Sequence, residues 1–242
     1  MSYFLEKRIG RIVILTGAGV SAESGLNTFR DSGGLWEGYD PLDIATVGAL
    51  DSNREMVLDF YNSRRSQLND CLPNLSHLAI SSFQNDFSGH VFLITQNVDD
   101  LHERAGSPQV LHMHGSLKSM RCDYCAEEMK AIEMFEKSTI CPSCGKAGKL
   151  RPDVVFFGEM PKQLDEINIE IEKADLFVSI GTSGIVYPAA GFVAHARNTG
   201  AICVEINKER SEVTNLFDTS YSGLATEEVP RFFSNLLLNN EI

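Results

Sequence analysis

The sequence predicts an α/β fold with a parallel sheet. Apolar runs rich in β-branched residues alternate with helical patterns along most of the 242 residues. The clearest runs end in the polar or glycine-rich segments GAGVSAESG, QNVDD, GTSG and NKE. Ligands of open α/β sheets bind beyond the carboxyl ends of the strands, so these segments predict one shared crevice. The predicted strands are Arg11 to Thr16, Val91 to Thr95, Leu176 to Ile180 and Ala201 to Ile206.

A glycine-rich turn directly follows the first predicted strand. Its sequence, GAGVSA, matches the G-x-G-x-x-G/A fingerprint, in which glycines let the backbone approach a pyrophosphate at the N-terminus of a helix. A tight strand-to-helix turn without a nucleotide would also favour glycine. The usual companion, an acidic residue at the end of a second strand about 20 residues further on, is missing. The sequence therefore disfavours an ordinary hydride-transfer site. The residues of this turn are Gly17, Ala18, Gly19, Val20, Ser21 and Ala22.

Two segments interrupt the alternation and predict a smaller module. The first is helical, with Val57, Phe60, Tyr61, Arg64 and Leu68 on one helix face and Leu75, Leu78, Ala79 and Phe83 on another. The second contains four of the six cysteines. We expect the module to comprise 33–87 (helical) and 117–149 (zinc), inserted in a main domain of 1–32, 88–116 and 150–242. A closing amphipathic helix is predicted with Thr226 as N-cap and Val229, Phe232, Phe233, Leu236 and Leu237 on its apolar face.

The four clustered cysteines predict a structural zinc site. Cys122 and Cys125 form one CxxC pair, and Cys141 with Cys144 forms a second pair at the separation typical of zinc. Four thiolates complete a tetrahedron and leave no position for water, so the metal would be structural. A redox CxxC explains one such pair but not two. Cys71 and Cys203 stand apart, and we expect them to pack in the core. We expect the other four to bind one Zn²⁺.

The composition limits the function classes. The 33 acidic and 21 basic residues give a formal net charge of −12, which argues against a nucleic-acid binder and mildly favours lysine-bearing partners. No apolar run approaches the roughly 20 residues that a membrane span needs. The N-terminal apolar run leads into the glycine-rich turn and lacks a secretory cleavage pattern. We therefore expect a cytoplasmic protein that binds neither nucleic acid nor membrane.

Polar residues near the predicted crevice suggest several roles. His112 and His114 lie two apart in a probable strand, and either could be a metal ligand, a hydrogen-bonded core residue or, for His114 beside Gly115, a general base. Amides and a carboxylate in the QNVDD segment suit ribose hydroxyls or a carboxamide, although such residues also form turns. Tyr61 and Arg64 share a helix face and could bind a carboxylate, whereas periodicity alone favours a surface pair.

Together these segments resemble the sirtuin family of NAD-dependent protein-lysine deacylases. GAGVSAESGLNTFRDSGGLW, TQNVDDLHERAG, HMHG, the two CxxC pairs, PDVVFFGE, GTS and EIN occur in that family's order along nearly the whole chain. The resemblance implies one catalytic region over 1–242. It has a Rossmann-type, doubly wound parallel sheet with a smaller helical and zinc-binding module inserted. It also implies a cleft between the two parts, where NAD is consumed as co-substrate and meets an acylated lysine.

The resemblance assigns roles to individual residues. His114 matches the catalytic base, and Asn97 and Asp99 match catalytic positions that, with Gln96, contact the ribose and nicotinamide. The turn from Gly17 to Ala22 holds the pyrophosphate. Phe29 and Arg30 belong to a flexible cofactor loop that continues to Trp36. The positions that line the adenosine half are Gly181, Thr182, Ser183, Asn207, Lys208, Glu209 and Ala225.

The resemblance also implies the reaction and its acyl preference. The lysine amide oxygen attacks the nicotinamide ribose, His114 deprotonates a ribose hydroxyl, and water completes the release of lysine and O-acyl-ADP-ribose. Ala45, Tyr61 and Arg64 resemble the class III branch, which removes succinyl and malonyl groups, so we expect desuccinylation and demalonylation together with deacetylation. Mono-ADP-ribosyl transfer and a non-catalytic NAD and zinc scaffold remain alternatives, whereas a DNA-binding zinc ribbon fits poorly. We expect a monomer.

Overall fold

The computed structural model describes residues 9–26, 38–132 and 134–239. In these ranges the chain forms nine strands and eight α-helices. The strands are β1 (Arg11–Thr16), β2 (His90–Thr95), β3 (Leu111–His112), β4 (Gly115–Cys122), β5 (Glu128–Lys130), β6 (Leu150–Val154), β7 (Leu176–Ile180), β8 (Ile202–Asn207) and β9 (Thr219–Ser222). The helices are α1 (Pro41–Ile44), α2 (Val47–Ser52), α3 (Arg54–Gln67), α4 (Leu75–Asp86), α5 (Leu101–Arg104), α6 (Leu164–Glu172), α7 (Phe192–Asn198) and α8 (Ala225–Asn239).

Six of the strands form one parallel sheet in the order β3-β2-β1-β7-β8-β9. The predicted parallel α/β fold is therefore confirmed. Of the four predicted strands, β1 and β7 have the predicted bounds, β2 begins one residue earlier, and β8 is shifted by one residue. The order reverses beside β1, so the loops after β1 and β7 open a crevice at the carboxyl edge of the sheet.

The sheet is covered on both faces, which explains the apolar runs. Side chains alternate between the faces of a strand. On β1, Ile12 and Ile14 therefore pack in a core with Val229 and Phe233 of α8. Val13 and Leu15 pack in a second core with α6 and α7 on the other face. All four β1 residues are almost completely buried, as expected for a central parallel strand.

The helices of the first core correct two predictions. In α4, Leu75 and Leu78 are exposed, while His77, Ile80 and Phe83 are buried. The helix turns its polar residue His77 inward because that side chain has hydrogen-bond partners there. In α8, Leu237 is exposed, and Thr226 lies inside the helix.

Thr226 is not an N-cap. Its side chain donates to Glu23 Oε1 at 2.7 Å, so it links α8 to the turn after β1.

The remaining elements form a layer beside the crevice. Strands β5, β4 and β6 form a small antiparallel sheet. The predicted inner face of α3 is confirmed, since Val57, Phe60, Tyr61, Arg64 and Leu68 are buried.

Cys71 and Cys203 are buried as predicted. The domain ranges stay a prediction, and the structure packs Ile80 and Phe83 of α4 in the core of the large sheet.

Among the described helices, none combines the length with the apolar character that crossing a bilayer requires.

Candidate active site

A cleft of about 920 Å³ lies at the carboxyl edge of the large sheet. Its size is in the range of cofactor and ligand sites. It brings together nearly all predicted site residues that the structure describes. Those that line it are Gly17, Ala18, Gly19, Ser21, Ala22, Ala45, Tyr61, Arg64, Gln96, Asn97, Asp99, His114, Gly181, Thr182, Ser183, Asn207, Lys208, Glu209 and Ala225.

Four other predicted site residues are not among the residues that line the cleft. Val20 is fully buried in the core of the large sheet, and its side chain does not line the cleft. Phe29, Arg30 and Trp36 lie outside the described residues.

The glycine-rich turn forms one end of the cleft. Gly17 donates its N–H to the Ile180 carbonyl and Gly19 to the Gly181 carbonyl, both at 2.9 Å. A Cβ on Gly19 would lie 2.7 Å from Gly181 Cα, a backbone atom that cannot swing aside. Gly181 itself has φ of +64°, which favours glycine. These glycines are therefore required by the close approach of the loops after β1 and β7.

The α-helix expected directly after this turn is wrong. The backbone instead makes two short 3₁₀ turns, Ala18–Val20 and Ala22–Ser24. Any pyrophosphate contact here would come from backbone groups of these tight turns and not from a helix dipole.

Ser21 organises a buried polar network. Its hydroxyl donates to Asp99 Oδ2 at 3.0 Å and accepts from Asn97 Nδ2 at 3.1 Å. His77 Nε2 lies 3.3 Å from the same oxygen, and His77 Nδ1 contacts Asn74 at the start of α4. Burial lowers the pKa of His77 to about 4, so this ring is neutral. Burial raises the pKa of Asp99, although hydrogen bonds from Leu101 and Ser21 oppose it.

His114 lines the cleft and lies on the chain between β3 and β4. Its Nδ1 is 3.1 Å from the Gln96 carbonyl oxygen. A carbonyl oxygen only accepts, so Nδ1 carries the proton and Nε2 keeps the lone pair. Burial lowers the pKa of His114, and the bond to Gln96 only partly opposes this. The ring is therefore a neutral imidazole at neutral pH, which is the state that a general base requires.

A pocket at one side of the cleft is built on α3. Ala45, Tyr61 and Arg64 are nearly fully buried there. Arg64 Nη1 donates to Gln67 Oε1 at 2.6 Å. The Tyr61 ring stacks on Phe156 with centroids 5.6 Å apart. Burial raises the pKa of Tyr61, so its hydroxyl stays protonated and can donate to an anion. A buried guanidinium beside a phenol hydroxyl suits a carboxylate.

The loops after β7 and β8 line the cleft next to the glycine-rich turn. Asn207 ends β8, and its Nδ2 donates to the Thr182 carbonyl at 2.6 Å. Lys208 and Glu209 are exposed at the rim, and Ala225 begins α8. Hydroxyl and amide groups gather here, so this part of the cleft suits the hydroxyls of a ribose.

The four cysteines form a separate cluster away from the cleft. Their sulfur atoms all lie within 4.8 Å of one another. The Cys122–Cys144 and Cys125–Cys141 Sγ distances are 3.8 Å. Four sulfurs about 2.3 Å from a central ion would be about 3.8 Å apart, so the cluster fits tetrahedral zinc. The distances are far too long for disulfides.

Sequence reasoning missed several residues of the site. His77 contacts Ser21, and its signal was the Asn74-x-x-His77 capping box at the start of α4. Phe156 and Glu159 lie in the quoted motif PDVVFFGE, but no role follows from their types alone. Gln67 lies one helical turn after Arg64, a spacing that predicts contact.

Comparison with known proteins identifies the family. A family model described as Sir2 family matches residues 17–188. The chain belongs to the Sir2 family. A curated Sir2 relative from Bdellovibrio bacteriovorus, named NAD-dependent protein deacylase, is 49% identical over 93% of this chain and 96% of its own. The Escherichia coli K12 protein of the same name is 46% identical over 94% of this chain and 82% of its own.

Solved Sir2 structures agree with the fold. A Sir2 homolog–NAD complex superimposes with a TM-score of 0.83 and 40% identity over 94% of this chain and 90% of its own. A Sir2–p53 peptide–NAD⁺ complex has a TM-score of 0.80 and 26% identity over 96% of this chain and 95% of its own. The Sir2 fold therefore extends over nearly the whole chain.

Proposed function

We propose that this protein removes acyl groups from lysine side chains of proteins and consumes NAD as its co-substrate. We further propose that it accepts succinyl- and malonyl-lysine as well as acetyl-lysine. The observation that carries the proposal is the position of neutral His114. It lies in one cleft with the glycine-rich turn and with the buried cation Arg64. Sir2 relatives named NAD-dependent protein deacylase, 46–49% identical, support it.

We assign a different role in the reaction to each part of the cleft. The turn from Gly17 to Ala22 and the loop Gly181–Ser183 would hold the dinucleotide, with Asn207 at the ribose of the adenosine half. When bound, NAD supplies the ribose carbon that nicotinamide leaves and the hydroxyl that takes the acyl group. His114 Nε2 would accept the proton of that hydroxyl. Asn97 and Asp99, fixed by Ser21, would orient the ribose and exclude water from it.

The pocket on α3 would receive the acyl group. Small Ala45 leaves room for a chain longer than acetyl. Tyr61 and Arg64 would donate hydrogen bonds to a terminal carboxylate, which acetyl-lysine lacks. The buried pair would therefore favour succinyl and malonyl groups and tolerate acetyl. The monomeric state and the cytoplasmic location stay predictions.

The test mixes the protein with NAD and an acyl-lysine peptide and measures nicotinamide and deacylated peptide. We expect both products in equal amounts, and their loss in His114→Ala with NAD binding retained. ADP-ribose attached to protein would indicate mono-ADP-ribosyl transfer instead. NAD binding without nicotinamide release would indicate a scaffold, and near-normal deacylation by His114→Ala would refute the role of this histidine.

A further inference from the structure

Two histidines contact two successive carbonyl groups of the loop after β2. His114 Nδ1 lies 3.1 Å from the Gln96 carbonyl oxygen, and His112 Nδ1 lies 3.0 Å from the Asn97 carbonyl oxygen. Carbonyl oxygens only accept hydrogen bonds, so both Nδ1 atoms carry protons. The reaction proposed above uses His114 and gives His112 no role.

The second ring nitrogen distinguishes the two residues. His112 Nε2 is 2.6 Å from Oε1 of Glu103, on α5. A carboxylate also only accepts, so this nitrogen is protonated too, and the ring is an imidazolium. The short distance fits a charge-assisted hydrogen bond. His112 is therefore a cation, whereas His114 is a neutral base two residues further along the chain.

The surroundings of His112 support this state. Burial by itself lowers the pKa of His112, but the hydrogen bond and charge of Glu103, the Asn97 carbonyl and the charge of Asp99 outweigh it. The net direction is upward. A further titratable neighbour on α5 is His102, whose pKa is lowered by burial and by the charges of His77 and His112. Burial raises the pKa of Asp99, and the positive charge on His112 is one of the interactions that oppose this rise.

We propose that His112 is a positioning residue, whose imidazolium ties the main chain of Asn97 to Glu103. We call the contacts of His112 with the Asn97 carbonyl and the Glu103 carboxylate the clamp. The loop between Asn97 and Glu103 carries Asp99, so the clamp fixes both ends of this loop. The Asn97 side chain is already held from the other side, because its Nδ2 donates to the Gly17 carbonyl at 3.2 Å and to Ser21 at 3.1 Å. This inference rests on the proposed function, since it assigns a purpose to the geometry of Asn97 and Asp99.

The first test is independent of activity. NMR of the histidine ring nitrogens in the wild-type protein, without NAD, should show His112 doubly protonated and His114 singly protonated at neutral pH. A neutral His112 overturns the proposal. This readout stays valid if the wild type releases no nicotinamide, a result that would instead refute the proposed function.

The second test uses the pH profile of kcat/KM. The imidazolium exists below the pKa of His112, so efficiency should fall as pH rises through that value. In Glu103→Gln the neutral amide can donate to a deprotonated Nε2, so the clamp persists and this alkaline loss should disappear. An unchanged alkaline loss in Glu103→Gln overturns the proposal.

The third test removes the clamp. His112→Gln should lower kcat by roughly tenfold, as expected for one lost charge-assisted hydrogen bond, and equally for acetyl and succinyl substrates. His90→Gln is the matched control, because His90, like His112, lies on a strand outside the cleft lining and pairs with a glutamate, Glu170, at 2.9 Å, whereas His112 also contacts the main chain of Asn97 in the cleft. Its kinetics should be unchanged. Normal kcat in His112→Gln, or the same loss in the control, overturns the proposal.

Discussion

Replacing Arg64 by methionine is the sharpest test of the acyl preference. The Arg64 side chain is only 7% exposed, so a succinyl carboxylate in its pocket would exchange water for the guanidinium. Methionine fills a similar length without charge. The carboxylate would then be buried without its cation, while the methyl end of an acetyl group would lose little.

The expected size of the effect follows from the contact. Removing one partner of a buried, hydrogen-bonded charge pair costs about 3 kcal/mol, at the low end of measured values. Each 1.36 kcal/mol changes a rate by about tenfold. We therefore expect kcat/KM on succinyl-lysine to fall by about a hundredfold. The value on the acetyl form of the same peptide should change by less than about threefold.

Two variants serve as controls in this paired assay. Arg64→Lys keeps the charge but loses the planar fork, so its loss on succinyl-lysine should be intermediate. Arg65→Met removes the next buried arginine on α3, which donates to the Leu117 carbonyl at 2.8 Å and lies over the Phe135 ring. This change should lower stability and affect both substrates alike. Equal losses on succinyl- and acetyl-lysine in Arg64→Met would refute the proposed binding of the acyl carboxylate by Arg64.

Three further predictions follow from the site. Because burial lowers the pKa of His114, deacylation should persist below the ordinary histidine pKa and fall only as pH drops through the lowered value; a loss already centred at or above the ordinary value would contradict this. Cys141→Ser should reduce bound zinc, measured by elemental analysis, from about one ion per chain to almost none and lower Tm; retained zinc would contradict the four-thiolate site. Gly19→Ala should raise KM for NAD and destabilise by about 1–3 kcal/mol, because the new methyl group meets the Gly181 backbone at 2.7 Å. Gly48→Ala, where the nearest atom is 3.9 Å away, should do neither, and equal effects of the two alanines would refute the packing argument.

The strands were predictable because burial on both faces leaves a continuous apolar run. Residues 11–16 and 176–180 had to be strands, since so short and β-branched a run cannot form a long helix. The zinc cluster was predictable because two thiolates per CxxC turn are a local property. In both cases the determining interactions lie within a few residues of sequence.

Other features depend on contacts between distant segments, so local patterns could not reveal them. On α4, Phe83 and Ala79 pack in or against the core as predicted, but Leu75 and Leu78 are exposed. His77 turns inward to Ser21 instead, and periodicity counts only apolar residues. The helix expected after β1 was wrong because Gly181 approaches the turn from β7 and the backbone closes into 3₁₀ turns. The charge of His112 depends on Glu103, which a sequence pattern does not connect to it.

The zinc cluster matters to the site although none of its cysteines is among the described residues that line the cleft. Cys122 ends β4, and the preceding Arg121 donates to Glu159 Oε1 at 2.7 Å. The Glu159 carboxylate also accepts hydrogen bonds from both Nη groups of Arg151 and from the N–H of Phe156. The Arg151 guanidinium lies 4.0 Å from the Phe156 ring centroid, and the Phe156 ring stacks on Tyr61. The strand that ends at the cysteine cluster is therefore joined, through the Glu159 carboxylate, to the Phe156 and Tyr61 rings beside Arg64. Burial raises the pKa of Glu159, but its arginine and backbone partners outweigh this and lower it, so the junction stays charged across the neutral range.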